Sequence, residues 1–429
     1  MSNIEALKEL LRIPSVSTTH QGIEECAEKV KVLLEEAGFS TQIIQTNGHP
    51  VVFGEKKGLT DKTLLFYNHY DVQPPEPLDQ WVSPPFEPEI RDNRLYARGV
   101  VDNKGNFMAR LEAIKSFEEL PITIKFVVEG EEEIGSPSLP AFVEKHGNIL
   151  KADGCIWETG EKDEEGRPTM FLGTKGLLYV ELRATGANTD LHSGNAVIVE
   201  NPAWKLVRAL TTLKDSEEQI LIEGFYDDIR QPEKEELDLA DQIPLDGDSA
   251  KKSLEIDRFL LDMSDREAIS KILYGPSCNI CGISAGYTGE GMKTVLPCKA
   301  AAKVDFRLVP DQNPEKIFEL LKSHLKKHGF GGIDVSLLGT FWPAKTSFKE
   351  KMVNIVKESM DAVYRKSTVI YPSLAGSGPL WFFSHKLKIP TVSTGIGDEE
   401  SNIHSPNESM SLTDYQEGVE VIKEIIKRF

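Results

Sequence analysis

Residues 106–136 read NFMARLEAIKSFEELPITIKFVVEGEEEIGS. From about Asn106 to Glu118 the stretch spells a helix, and the apolar ITIKFVVEG that follows reads as a strand buried in a sheet. It ends on Glu131, Glu132 and Glu133, closed by the tight Ile-Gly-Ser turn. Upstream, residues 22–39 carry a 3.6-residue apolar period that stops at Gly38 as at a helix C-terminus, and STQIIQT, HPVVFGE and TLLFYNH follow as short strands rich in β-branched or aromatic residues. Strands alternating with helices specify an α/β layer with a mostly parallel sheet and helices on both faces. In such sheets functional residues collect beyond the carboxyl ends of the strands. His69 ends TLLFYNH, the glutamates end ITIKFVVEG, and Glu158 ends ADGCIWE, three strand ends with chemistry on them.

After Gly173 the pattern changes. TKGLLYVELRATG alternates as a strand, PAWKLVRALTTLK is a helix, KAAAKVDFRLVP a strand, PEKIFELLKSHLKKHG a helix and GIDVSLL a strand, with a charged, partly helical insert at about 215–275. That order suits an α+β, ferredoxin-like layer with helices on one face of an antiparallel sheet. The α/β pattern returns near Ala344, in KEKMVNIVKESMDAVY, PLWFFSHKL, IPTVSTG and LTDYQEGVEVIKEIIKRF. A catalytic domain in two segments, 1–174 and 344–429, with a second domain inserted at 175–343, is the simplest division of the 429 residues.

The formal net charge of -19 sets the chain against a nucleic-acid partner, because a polyanion would be repelled. No apolar run approaches the roughly 20 residues needed to span a bilayer, and the N-terminus lacks the uninterrupted apolar core of a secretory signal, so a cytoplasmic location is expected. Five cysteines, Cys26, Cys155, Cys278, Cys281 and Cys298, suit a reducing compartment. Cys278 and Cys281 form a CxxC with no second pair, and buried free thiols are expected.

In an extended segment His69 and Asp71 face the same way, which lets the Asp71 carboxylate orient the His69 ring. Three consecutive carboxylates at the end of an apolar strand repel one another unless a cation compensates them, and neighbours of this kind can split roles between ligand and base. Asp102 in ARGVVDNKG and His404 in NIHSP complete a set of imidazoles and carboxylates of the type that holds zinc and leaves one carboxylate free to take a proton.

These stretches resemble a known family. NHYDVQP at 68–74, ARGVVDNKG at 97–105, EGEEEIGS at 129–136, TDLHSG at 189–194, KTVLP and DFRLVPDQ within 293–312 and NIHSPNE at 402–408 are similar to the motifs of the co-catalytic zinc metallopeptidases, the family of carnosinases and cytosolic non-specific dipeptidases, glutamate carboxypeptidase, aminoacylase and succinyl-diaminopimelate desuccinylase. The resemblance implies two divalent ions, zinc or else manganese or cobalt. His69, Asp102 and Glu158 would hold one, and Asp102, Glu133 and His404 the other. It further implies Glu132 as general base, Asp71 as orienter of His69, and a cis peptide at Asp102-Asn103. The inserted domain would be a lid that also dimerises the protein, with His192 reaching a partner subunit's site to stabilise the oxyanion. Arg307 suits capture of a substrate carboxylate, and Asn279, Gly376 and Ser377 are candidates for its C-terminal end. The implied reaction is amide hydrolysis of a small peptide or, alternatively, an N-acyl amino acid. Glu158 leaves dipeptidase and carboxypeptidase open, since dipeptidases of the family more often carry Asp there.

Overall fold

The computed structural model describes residues 4–158 and 160–429. Two compact units are present. One is formed by Met1–Gly173, Lys345–Leu374 and Gly378–Phe429, the other by Thr174–Ala344 with Ala375–Ser377.

The first unit is built on an eight-stranded sheet in the order Ser40–Ile44, Val51–Lys56, Thr123–Glu129, Thr63–His69, Gly154–Trp157, Thr391–Ser393, Thr169–Phe171 and Val369–Tyr371. Its centre is parallel: Thr63–His69 runs alongside both Thr123–Glu129 and Gly154–Trp157, and Thr391–Ser393 alongside Gly154–Trp157. Every residue of Thr123–Glu129 is buried, as a central strand covered on both sides requires. Phe126 anchors this core, its ring 5.5, 5.1 and 5.6 Å from those of Phe39, Phe66 and Phe107.

The helix Ile23–Glu36 buries Ile23, Cys26, Ala27, Val30, Leu33 and Leu34, the stripe its period specifies, and Gly38 follows it at φ 84°, where a side chain would be strained. The helix expected from Asn106 spans Lys104–Lys115 instead. It stops early because the N–H groups of Ser116 and Phe117 turn back onto the carbonyls of Ala113 and Ile114.

In the second unit four antiparallel strands lie in the order Ser277–Ala285, Lys299–Leu308, Gly176–Thr185 and Asp334–Phe341. Helices Pro202–Leu210 and Pro314–Lys327 cover one face, where Leu178, Val180, Leu182, Val304 and Phe306 pack against Leu206 and Leu321. Ala375–Ser377 belongs to this unit although it falls within the last stretch of chain. Ser377 Oγ donates to the Gly176 carbonyl at 3.1 Å, and the Gly376 carbonyl accepts the Lys175 N–H at 3.0 Å.

The cysteines correct one expectation. Cys26, Cys155 and Cys278 are buried thiols, but Cys281 is exposed and Cys298 half-buried. A bulge between Ile280 and Gly282 interrupts the alternation of that strand, and its sheet position leaves all but Cys278 of its middle uncovered. Among the described residues no helix is long and apolar enough to cross a membrane.

Candidate metal centre

Adjacent parallel strands end side by side, and that places the chemistry. His69 is the last residue of Thr63–His69 and is in register with Glu129, three residues before Glu132. Glu132 and Glu133 open a short 3-10 turn closed by Gly135 at φ 89°. Glu158 directly follows the strand Gly154–Trp157. Asp102 precedes the helix Lys104–Lys115, and its peptide bond to Asn103 is cis.

These side chains converge. His69 Nε2 lies 2.9 Å from Asp102 Oδ1 and 3.9 Å from Glu158 Oε2. His404 Nε2 lies 3.0 Å from Asp102 Oδ2 and 3.2 Å from Glu133 Oε2. Asp102 therefore presents one oxygen to each imidazole. Ligand atoms of His69, Asp102 and Glu133, and likewise of His69, Glu132 and Glu158, fall within 4.8 Å of one another. Ligands at about 2.0–2.2 Å from a shared ion stand roughly 3–4 Å apart, so the grouping has the right scale.

Hydrogen bonding around the cluster sets its electronics. The Nδ1–H of His69 donates to the Asp71 carbonyl at 3.1 Å, with the Asp71 carboxylate at 3.4 Å, which turns the Nε2 lone pair toward Asp102. A lone pair aimed at a carboxylate oxygen needs a proton or a cation between them. Burial resists charge on His69, yet the bonds to Asp102 and Asp71 outweigh it and hold the ring well above the usual imidazole range. Hydrogen bonds to Asp102 and Glu133 push His404 up to about 10. Asp102 is buried, but hydrogen bonds from His404 and His69 prevail and keep its carboxyl below the usual range.

The glutamates lean the other way. Burial, then repulsion from Glu158, drives Glu132 well above the usual carboxylate range. Burial raises Glu158 in the same way and outweighs the help of His69. Burial and then Asp102 raise Glu133. Glu158 Oε2 is buried with no hydrogen-bond partner. An orphaned carboxylate oxygen facing an imidazole nitrogen and further carboxylates is what a divalent cation satisfies, and the oxygen and nitrogen donors suit zinc, manganese or cobalt. The cluster fits a metal site.

Three supporting residues escaped the sequence reading. Arg110, fully buried, donates to the carbonyls of Tyr67 at 2.8 Å and Glu158 at 2.6 Å and to Asn68 Oδ1 at 2.8 Å, tying together the ends of the strands that carry His69 and Glu158. Gln73 Nε2 donates to Glu133 Oε2 at 2.9 Å. Glu408 accepts four hydrogen bonds from the segment leading to Asp102. The motifs around Gln73 and Glu408 were the available signal; Arg110 had none.

The remaining expected site residues lie in the second unit. His192 is exposed on the short strand Leu191–His192, its Nδ1 accepting the Gly194 N–H at 3.1 Å. Arg307 Nη1 donates to Ser377 Oγ at 2.8 Å, beside Gly376. Asn279 is exposed and turns its amide toward Cys281 Sγ at 3.6 Å.

A sequence model of the peptidase family M20/M25/M40 matches residues 65–428. The chain belongs to this family. It is an enzyme, a metallopeptidase. Among its relatives, Beta-Ala-His dipeptidase of Rattus norvegicus is 28% identical over 386 residues, covering 86% of this chain and 77% of its own. Cys-Gly metallodipeptidase of Schizosaccharomyces pombe is 28% identical over 394 residues, 87% of this chain and 81% of that one. The crystal structure of an M20 family metallo-carboxypeptidase from Sulfolobus solfataricus superimposes with a TM-score of 0.96 at 43% identity, covering 100% of this chain and 99% of that chain.

Proposed function

We propose that this metallopeptidase is a two-metal exopeptidase that hydrolyses the peptide bond next to a free C-terminal carboxylate. The observation that carries the reading is the pairing of Asp102, one carboxylate oxygen toward His69 and the other toward His404, in a cluster with Glu133 and Glu158. His69, Asp102 and Glu158 would hold one ion, and Asp102, Glu133 and His404 the other, zinc with manganese or cobalt as substitutes. Bound there, divalent ions supply Lewis acidity, lowering the pKa of water and polarising a carbonyl.

This chain's own groups do the rest. Glu132 belongs to the same cluster, and its raised pKa suits a group that takes a proton from water and returns it to the leaving nitrogen. Asp71 holds the His69 tautomer. The Arg307 guanidinium and the adjacent Ser377 hydroxyl would bind the substrate carboxylate, with Asn279 and Gly376 adding polar contacts. His192 would stabilise the oxyanion in the site of a partner subunit, which makes a homodimer part of the reading.

Between the two exopeptidase types, Glu158 and the 43%-identical metallo-carboxypeptidase favour removal of a C-terminal residue, with dipeptides as the shortest substrates. The relatives are peptidases by name, and the N-acyl amino acid alternative draws no support from them. A panel of dipeptides, longer peptides and N-acyl amino acids, assayed with zinc, manganese and cobalt, tests the reading. Release of single C-terminal residues supports it, and turnover confined to N-acyl amino acids overturns it.

A further inference from the structure

We propose that Glu408 is a positioning residue: it fixes the aim of His404 and couples that side of the cage to Asp102. The Glu408 side chain is 1% exposed, and both of its oxygens are fully used. Oε2 accepts from Arg98 Nη1 at 2.9 Å and from the Gly99 N–H at 2.8 Å, and Oε1 from the N–H groups of Val101 at 3.0 Å and Asp102 at 3.2 Å. A carboxylate needed merely to neutralise Arg98 would not also gather three backbone donors. Those donors come from residues 99–102, the segment that delivers Asp102, while the acceptor lies on the loop that delivers His404. One side chain thus registers the two segments against each other.

The loop needs such a brace. Asn402, His404 and Asn407 take φ of 50°, 63° and 61°, in the left-handed region. Asn tolerates it, but for histidine the conformation costs about 1 kcal/mol or more and persists only where neighbouring contacts over-determine it. Those contacts lie on the far side of His404. Asn407 Nδ2 donates to the Gln80 carbonyl at 2.9 Å, its Oδ1 accepts the Val82 N–H at 2.8 Å, and Ser409 pairs with Tyr96. Between Asn407 and Ser409, the Glu408 side chain bonds directly to the backbone of the segment that ends at Asp102.

The inference rests on the two-ion reading, and the test separates them. Glu408→Gln keeps the shape but sets an NH2 against two N–H donors. Chelator-treated enzyme is titrated with cobalt(II), followed by visible absorption and calorimetry, with His404→Ala as the reference for loss of the second ion. Wild type is expected to bind two equivalents. E408Q is expected to keep the first with wild-type affinity and to bind the second at least tenfold more weakly, with kcat reduced and KM near wild type. Two equivalents at wild-type affinity in E408Q, with or without a lower Tm, would leave Glu408 a purely structural role and overturn the proposal. Wild type binding a single equivalent overturns the two-ion reading and this inference with it. Should E408Q not accumulate folded, Arg98→Lys, which loosens the same carboxylate, is expected to weaken the second equivalent to a smaller degree, and an unchanged second affinity there also overturns the proposal.

Discussion

The carboxylate of Asp71 accepts the backbone N–H of Glu132 at 3.2 Å. It also accepts that of Glu133 at 3.1 Å, while the Asp71 carbonyl takes the Nδ1–H of His69 at 3.1 Å. One buried residue thus sets the His69 tautomer and the turn that carries Glu132. Asp71→Asn replaces one acceptor oxygen with a donor facing an N–H. Metal affinity or kcat is expected to fall by about 10–100-fold, the range seen when partners behind metal ligands are removed. Metal titration and steady-state kinetics check it, and wild-type values for both would refute the role.

In the proposed function Glu132 transfers the proton and its neighbours would hold the ions. Glu132→Gln is expected to lower kcat by about 10²–10⁴-fold while metal content measured by mass spectrometry stays near wild type. Loss of metal together with activity would reassign Glu132 to ligation.

Metal uptake is expected to release protons. In chelator-treated protein His404 is held up to about 10 by Asp102 and Glu133, so below that pH a proton occupies the nitrogen proposed to bind metal. Its raised value means the proton competes fully at pH 6 and loses ground as pH rises toward 10. Zinc affinity should therefore rise with pH, by about tenfold per unit for each proton displaced. Competition with a chromophoric chelator at pH 6, 7 and 8 measures the slope, and a flat response would contradict the pairing.

A role for His192 across subunits makes a distinctive prediction. Mixing inactive His192→Ala with inactive Glu132→Gln, under conditions that exchange subunits, should restore part of the activity, because one hybrid site has both residues intact. No recovery in dimers shown to have exchanged would count against that role.

Phe126 touches Phe39, Phe66 and Phe107 directly beneath the sheet that carries the site. Phe126→Ala is expected to cost about 3–5 kcal/mol in urea unfolding, the sum of lost burial and the remaining cavity. A loss below 1 kcal/mol would place the core elsewhere.

The strand ends were legible because burial and chemistry change abruptly there: ITIKFVVEG cannot be solvated, and three glutamates cannot be buried without a partner. His69 and Glu158 were visible for the same reason. Arg110 was not, since an arginine in a helical period reads as a solvated face, and only the packed structure shows it reaching carbonyls at or just past the ends of three strands. Glu408 stands in the NIHSPNE motif, but what it bonds was hidden, since its four donors come from residues some 300 positions earlier. The extent of the helix at Lys104–Lys115 was misjudged because it is buried nearly all round, leaving no apolar stripe to mark its ends.

The proposed function stands on two cations sharing Asp102. Crystals soaked in zinc and measured at the zinc absorption edge should show two anomalous peaks, one at about 2.0–2.2 Å from His69, Asp102 and Glu158 and one at that distance from Asp102, Glu133 and His404. A single peak, or peaks that leave Asp102 without a metal, would contradict it.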